Sequence, residues 1–261
     1  MSASRIFNAE LAQRVVVGGV LAIVAAIELW LGGFAFWVMV TAAGLLMLSE
    51  YAQLLKTSYE DRRLAMYALC IPLGIACPWA AGVNFVGLGA LIGMAIAVTA
   101  KTRSRSLGAG LLYVGLPVFA LLWLRDQPGE QGMLLAFWAL AIVWATDIGA
   151  FFSGRAIGGP KIAPSISPSK TWAGLVGGAG AALLLGWSLM HYAGLDWRLA
   201  LASPFLAVLA QVGDFFESWL KRRAGVKDSG RLLPGHGGVL DRLDGLVTSV
   251  PVAALLVLAI A

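Results

Sequence analysis

The chain has 261 residues, of which 59% are hydrophobic and 13% are charged, and its mean hydropathy is +0.83. These values exclude an ordinary soluble domain and predict an integral membrane protein. Long apolar runs recur along the chain, and a membrane-spanning helix needs about 20 such residues. Because backbone polar groups must be paired inside hydrocarbon, we expect these runs to be helices. The alternating ten-residue pattern of an outer-membrane barrel is not visible.

Nine apolar segments predict an all-α, polytopic fold of about nine transmembrane helices. The predicted spans are 15–31, 33–50, 64–80, 83–100, 107–124, 132–153, 171–194, 198–220 and 239–260. The first two are interrupted only by Glu28 and Gly32–Gly33, and a hairpin turning at the glycines fits their lengths. The N-terminal run lacks a small-residue cleavage site, so we expect it to be retained. We expect a single membrane domain over 1–261, with lipid-facing scaffold helices in 1–130 and catalytic helices in 131–261.

The distribution of basic residues predicts the orientation. With the N-terminus in the cytoplasm, 17 of the 19 Lys and Arg residues lie on the inner side, and only Arg125 and Arg198 lie outside. This asymmetry follows the positive-inside rule. Tryptophans fall at the four outer turns, as an aromatic belt requires: Trp30, Trp79, Trp123 and Trp197. Anionic lipid headgroups account for the net charge of +5, and nothing indicates nucleic acid.

Five acidic residues lie in or at the inner ends of predicted spans: Asp147, Asp214, Glu217, Asp241 and Asp244. Carboxylates in a membrane are costly and are functional candidates by default. The last four form two pairs with i, i+3 spacing, so each pair shares one helical face. Clustered carboxylates suit Mg²⁺, which binds hard oxygen ligands together with substrate phosphates. The alternative is ion pairing with neighbouring basic residues: Lys221, Arg222, Lys227 and Arg242.

A second polar motif, Arg155–Gly178, separates the sixth and seventh spans. Ser167–Pro168 predicts an N-cap followed by proline at the first helical position. Ser169, Lys170 and Thr171 would then form the first turn. A helix N-terminus offers free N–H groups to a phosphate, and Lys170 adds a positive charge. The alternative is a capped surface loop. Gly174 and Gly178 favour close helix packing.

The sequence thus predicts two phosphate-binding surfaces, one at Lys170 and one at the basic residues near Lys221. With the metal-competent carboxylate cluster, they are expected at the cytoplasmic edge of a membrane domain. This combination indicates phosphoryl or nucleotidyl transfer to an amphipathic substrate. The residues alone identify neither the nucleotide nor the lipid. A secondary transporter with ion-relaying carboxylates also stays open, although the acidic residues cluster at the inner edge of the membrane.

The segment Ser218–Asp244 resembles the signature of the phosphatidate cytidylyltransferases at every fixed position. The matching positions are Ser218, Leu220, Lys221, Arg222, Lys227, Asp228, Gly230, Leu233, Pro234, His236, Gly237, Gly238, Asp241, Arg242 and Asp244. Asp147, Gly154–Arg155 and the run Ser167–Thr171 are similar to the family's other polar motifs. The motif-level resemblance covers about 144–246. The N-terminal half agrees only in hydropathy and in the pair Glu50–Tyr51.

The resemblance implies that CTP and phosphatidic acid give CDP-diacylglycerol and pyrophosphate. It also implies an Mg²⁺ cofactor, with a second cation as an option, membrane lipids as partners and a homodimer. We expect an integral protein of a bacterial inner membrane with its active site on the cytoplasmic face. A CTP-dependent lipid kinase, whose cytidine-nucleotide motifs look alike, remains an alternative.

The resemblance also implies roles for individual residues. The expected metal ligands are Asp214, Asp241, Asp244, Asp147 and Glu217. The expected catalytic residues are Asp214, Asp241, Asp244, Lys221 and Lys170. The expected substrate-binding residues are Arg155, Ser167, Ser169, Lys170, Thr171, Ser218, Arg222, Lys227, His236, Gly237, Gly238 and Arg242.

Overall fold

A computed structural model describes residues 3–232 and 237–260, with side chains described from Val16 onward. These residues form nine α-helices and one two-stranded antiparallel sheet. The helices are α1 (Ala3–Leu31), α2 (Gly33–Leu54), α3 (Tyr59–Ile75), α4 (Phe85–Thr102), α5 (Arg105–Arg125), α6 (Gln131–Ala156), α7 (Trp172–Ala193), α8 (Trp197–Ala224) and α9 (Leu240–Ile260). The strands are β1 (Lys161–Ala163) and β2 (Ser167–Thr171).

Seven of the described helices are long and apolar enough to cross a membrane: α2 and α4 through α9. In α1 the apolar part is the shorter segment Val16–Leu31. Helix α3 has 17 residues and begins with four consecutive charged residues after Tyr59. The predicted helical class is therefore confirmed, with the small β-hairpin as an addition to the all-α prediction.

The break between the first two helices lies at the predicted glycines. Helix α1 ends at Leu31 and α2 begins at Gly33. Gly32 has φ of 64° and Gly33 has φ of 52°. This left-handed region is accessible to glycine at little cost, because glycine has no Cβ. Two glycines therefore end one apolar helix and start the next without a polar linker.

The described chain divides into two compact units that interleave along the sequence. The first contains residues 3–112 together with the described part of 224–243. The second contains 113–223 together with 244–260. In the first unit, Ser229 and residues 237–241 thus pack with N-terminal helices.

Within the second unit, α6 and α7 pack with almost no side chain between them. A Cβ on Gly178 would lie 2.8 Å from the carbonyl oxygen of Thr146, and one on Gly174 would lie 3.1 Å from that of Ala150. A Cβ on Gly178 would force a backbone shift, and one on Gly174 would make an unusually tight contact. The predicted packing role of Gly174 and Gly178 is confirmed, and this contact holds the two ends of the intervening hairpin together.

The segment 167–171 is not the start of a helix, and that prediction was wrong. Ser167–Thr171 forms β2, antiparallel to β1, with Lys161 opposite Thr171 and Ala163 opposite Ser167. Helix α7 begins only at Trp172, and its N-cap is Thr171, whose hydroxyl accepts a hydrogen bond from Gly174 N at 3.1 Å. Cross-strand pairing with a segment earlier in the loop overrides the local Ser–Pro capping pattern. The free N–H groups at the start of this helix, which were expected to bind phosphate, therefore begin after Thr171.

Candidate active site

Lys170 contacts acidic and polar residues of α8 in the second unit. It lies at the end of β2, and its side chain is 19% exposed. The ammonium forms an ion pair with Asp214, donates to Gln211 Oε1 at 3.5 Å and lies 5.6 Å from the ring centre of Phe215. The hairpin thus delivers a positive charge to one face of α8. A lysine held in this way can compensate phosphate charge.

Asp214 and Asp244 are brought together by a close crossing of α8 and α9. A Cβ on Gly213 would lie 2.4 Å from the carbonyl oxygen of Asp244 and 2.5 Å from Thr248 Oγ1. The hydroxyl of Thr248 donates to Leu209 O at 2.7 Å, which ties the helices at the same level. The missing side chain at Gly213 therefore places the neighbouring Asp214 beside Asp244.

Three carboxylates of the second unit share one electrostatic environment. Asp244 interacts with the charges of Asp214, Asp147 and Lys170. Asp244 Oδ1 accepts from Gly245 N at 2.8 Å, and Asp214 Oδ1 accepts from Ser218 Oγ at 3.3 Å. Asp147 is exposed on α6. Neighbouring like charges repel, so this arrangement favours a cation.

Glu217 and Lys221 form an ion pair one turn further along α8. The Glu217 side chain is fully buried and the Lys221 side chain is 14% exposed. The i, i+4 spacing places both groups on one helical face. The sequence predicted metal binding for Glu217 and a catalytic role for Lys221; their contact is the ion pairing raised as the alternative for the acidic residues.

Asp241 belongs to the first unit, where donors from the signature segment surround its carboxylate. Asp241 Oδ2 accepts from Ser229 N at 2.9 Å, from Ser229 Oγ at 3.0 Å and from Gly238 N at 2.7 Å. Gly237 has φ of 84°, and a Cβ there would lie 2.6 Å from the same oxygen. The glycine turn therefore folds directly over the carboxylate. His236 lies outside the described residues.

Glu50 of α2 binds the same segment from the other side. Its Oε1 accepts from Val239 N at 3.0 Å, and its Oε2 accepts from Leu240 N at 2.8 Å and from Ser229 Oγ at 3.0 Å. Glu50 is 5% exposed. Glu50, near the end of α2, thus stabilises the first turn of α9.

The remaining residues predicted to bind substrate occupy more open positions. Thr171 is buried as the N-cap of α7, and Ser167 and Ser218 are half-buried. The exposed residues are Arg155, Ser169, Arg222, Lys227 and Arg242. The Arg155 guanidinium lies 5.9 Å from the ring centre of Phe151. Exposed basic side chains at helix ends remain accessible to anionic headgroups or nucleotide phosphates.

The donor chemistry of the second unit fits a magnesium ion. Within residues 3–232 and 237–260, no group of three or more His, Cys, Asp or Glu side chains could hold a metal on its own. Mg²⁺ does not require one, because it commonly binds one or two carboxylates and completes its octahedron with water and substrate phosphates. Asp214 and Asp244 would supply such a pair of hard oxygen ligands.

Sequence reasoning assigned no site role to Glu50, Gln211, Gly213 or Ser229. Glu50 and Gln211 lie inside predicted membrane spans, where a polar side chain is costly, and that cost is the signal by which they could have been found. Gly213 immediately precedes a predicted ligand. Ser229 lies inside the signature at a position without a fixed residue, so the resemblance did not draw attention to it.

Comparison with known proteins identifies the class to which this fold and these acidic and basic residues belong. The cytidylyltransferase family model matches residues 12–260. The phosphatidate cytidylyltransferase of Brucella suis is 42% identical over 256 residues, covering 95% of this chain and 92% of that protein. The enzyme of the same name from Pseudomonas aeruginosa is 43% identical over 159 residues, or 59% of this chain and 58% of that protein. The Staphylococcus saprophyticus relative, also a phosphatidate cytidylyltransferase, is 36% identical over 68% of this chain and 72% of its own length.

The chain is therefore a nucleotidyltransferase by its sequence relatives, and seven of its described helices are long and apolar enough to cross a membrane. It belongs to the cytidylyltransferase family. The family resemblance read from the signature segment is confirmed.

Proposed function

We propose that this protein transfers the cytidylyl group of CTP to phosphatidic acid, giving CDP-diacylglycerol and pyrophosphate. The observation that carries the proposal is the near full-length similarity to proteins named for this reaction. The grouping of Lys170 with Asp214 and Asp244 supports it, because nucleotidyl transfer requires compensation of developing phosphate charge.

In the proposed reaction a phosphate oxygen of phosphatidic acid attacks the α-phosphorus of CTP. The new P–O bond joins the lipid phosphate to cytidine monophosphate, and the bond to the β-phosphate breaks. Pyrophosphate leaves with the bonding electron pair. Phosphate monoesters lose their second proton near pH 6, so the attacking oxygen is already anionic at neutral pH. The reaction therefore needs no general base from the protein.

We propose Asp214, Asp241 and Asp244 as the principal ligands of Mg²⁺, with Asp147 and Glu217 as further candidates and a second cation as an option. Their place in the family signature supports this assignment. When bound, the metal supplies electrostatic stabilisation of phosphate oxygens and holds the triphosphate in register. The carboxylates would fix the position of the metal's positive charge.

The basic and polar residues bind phosphate groups in this proposal. Lys170 and Lys221 are partly buried and would compensate charge on the reacting phosphates. Exposed residues bind the outer nucleotide phosphates and the lipid headgroup: Arg155, Arg222, Lys227 and Arg242. Ser167, Ser169, Thr171, Ser218, His236, Gly237 and Gly238 complete the proposed substrate contacts.

We also propose nine membrane spans with a cytoplasmic N-terminus and a cytoplasmic active site. The seven long apolar helices support this arrangement, and α1 and α3 would supply the other two spans. The basic residue asymmetry supports the orientation. A homodimer, surrounding membrane lipids and a bacterial inner membrane complete the proposal.

Labelled CTP distinguishes this reaction from phosphoryl transfer by a lipid kinase. Purified protein is incubated with Mg²⁺, phosphatidic acid and CTP carrying ³²P at either the α or the γ position. We expect α label in the lipid fraction and γ label in pyrophosphate. Lipid labelled from the γ position would replace the proposal with a kinase. Absence of labelled lipid from either CTP, with folded protein, would contradict both enzymes.

A further inference from the structure

Glu50 is a carboxylate buried in an apolar helix, where its presence requires compensation. Burial of an ionisable group without hydrogen bonds is strongly unfavourable. Three donors from a segment about 180 to 190 positions later in the chain provide that compensation: Ser229 Oγ, Val239 N and Leu240 N. Val239 N and Leu240 N lie at the start of α9, where helix N–H groups have no intrahelical acceptors. Glu50 therefore caps α9 from another helix.

Ser229 connects this cap to Asp241. Its hydroxyl lies 3.0 Å from Glu50 Oε2 and 3.0 Å from Asp241 Oδ2. A hydroxyl carries one hydrogen, so the two carboxylates compete for it. The Ser229 backbone N–H donates to Asp241 as well. Any displacement of Ser229 away from Glu50 therefore changes the donors that fix the Asp241 carboxylate.

The segment is closely fitted to the Glu50 side chain. A Cβ on Gly230 would lie 2.4 Å from Glu50 Oε1, and a Cβ on Gly238 would lie 2.4 Å from Glu50 Oε2. Two glycines therefore allow the chain to pass the carboxylate on either side. This close fit also requires glutamate at position 50, because its two carboxylate oxygens accept hydrogen bonds from three donors.

We propose that Glu50 is a positioning residue that fixes the orientation of Asp241 through Ser229 and the first turn of α9. This inference rests on the proposed role of Asp241 at the metal. Glu50 has no part in the reaction itself. It sets the angle at which the Asp241 carboxylate is presented, as groups behind a metal ligand commonly do.

Glu50→Gln tests this with little change of size. The amide keeps one acceptor oxygen but turns an NH₂ group toward backbone or hydroxyl donors. We expect kcat to fall about 10- to 100-fold, the range for residues that orient metal ligands. We also expect half-maximal activity to require more Mg²⁺. Glu50→Asp keeps both acceptor oxygens and should recover part of the loss.

Ser229→Ala provides a second variant that leaves the Glu50 backbone contacts intact. It should shift the Mg²⁺ dependence in the same direction by a smaller factor. The double variant should lose less than the product of the two single losses, because both act through one network. Glu60→Gln is the matched control, since Glu60 is an exposed carboxylate in the first turn of α3 of the same unit. It should leave both readouts unchanged.

Amide hydrogen exchange on the full-length protein gives a readout independent of turnover. We expect faster exchange at Val239 and Leu240 in Glu50→Gln than in the wild type and Glu60→Gln. Unchanged exchange would overturn the proposal. Faster exchange with wild-type kcat and wild-type Mg²⁺ dependence would also overturn it, while leaving cytidylyl transfer intact. Failure of cytidylyl transfer itself would appear separately, as absent α-label transfer by the wild type.

Discussion

The ammonium of Lys170 forms an ion pair with the carboxylate of Asp214, 44 residues further along the chain. One residue ends a β-hairpin and the other lies within α8, so the pair fixes the hairpin against the helix. The contact also places a positive charge beside two proposed metal ligands, since Asp244 interacts with both partners.

Replacement of Lys170 by Ala should lower kcat at saturating substrates by about 10²-fold, because one preorganised charge for the reacting phosphates is lost. The label position that enters the lipid should not change. Lys161→Ala is the control in the same hairpin, where an exposed lysine donates to Ser169 O at 3.3 Å. An equal loss in both variants would indicate a general effect on the hairpin.

Asp214→Asn and Asp241→Asn should each lower turnover by about 10²-fold or more, because metal-supported charge stabilisation is worth several kcal/mol. Activity is measured over a range of Mg²⁺ concentrations with protein of verified folding. Asp196→Asn serves as the control, since Asp196 is bonded to Arg198 away from these groups. Near-normal turnover in either test variant would remove that residue from the metal site.

Gly213→Ala should destabilise the protein by about 1–3 kcal/mol, the usual cost of overpacking. The added Cβ would meet a backbone oxygen of α9 at 2.4 Å, and a backbone atom cannot move aside as a side-chain end can. The thermal unfolding midpoint in detergent measures the change. Gly180→Ala in α7 is the matched control, because a Cβ there has no neighbour within 4 Å. A Gly213→Ala midpoint equal to that of the control would contradict the close crossing.

Lys221→Met removes the ammonium beside the buried Glu217 carboxylate and should cost about 3–5 kcal/mol of stability. The double variant Glu217→Gln/Lys221→Met should recover most of that stability, because the Glu217 charge is removed together with its ion-pair partner. Unfolding midpoints and turnover are measured on the same preparations. If Lys221 contacts phosphate or Glu217 binds metal as proposed, turnover should stay low in the stable double variant. Recovered turnover would limit the pair to a structural role.

A reporter fused after Ala261 should be located outside the cytoplasm, since nine spans with an inner N-terminus end on the opposite side. Alkaline phosphatase and fluorescent-protein fusions report the two sides with opposite signals. The same fusions placed after Thr57 and after Thr102 should read as cytoplasmic. A cytoplasmic C-terminus would reduce the span count by at least one, with α1 or α3 the first to be reconsidered.

The helices could be predicted from local sequence because each contains a long apolar run that is visible without knowledge of its neighbours. The break at Gly32–Gly33 and the packing of Gly174 and Gly178 follow from residue type alone. The strand at Ser167–Thr171 does not, because it requires pairing with residues several positions earlier. Local sequence preferences predict a helix N-cap where serine precedes proline, and they carry no information about strand pairing.

For the candidate site, the sequence suggested individual residues but not the contacts between them. The signature points to candidate carboxylates, but not to the pairing of Lys170 with Asp214 or of Lys221 with Glu217. The contact of Glu50 with Ser229 spans 179 positions, and nothing in either local pattern specifies the other. Such contacts depend on how the helices pack.

The dependence of Glu50 on Ser229–Leu240 also bears on how the protein is made. Helix α2 is synthesised early, while the donors to Glu50 are synthesised about 180 to 190 residues later. At 5–20 residues per second, the intervening synthesis takes roughly ten to forty seconds. Throughout that interval the nascent chain holds an apolar helix whose carboxylate has yet to meet these donors. The first unit therefore cannot be completed until Leu240 has been synthesised, and a chain that stops before Ser229 lacks all three of these donors.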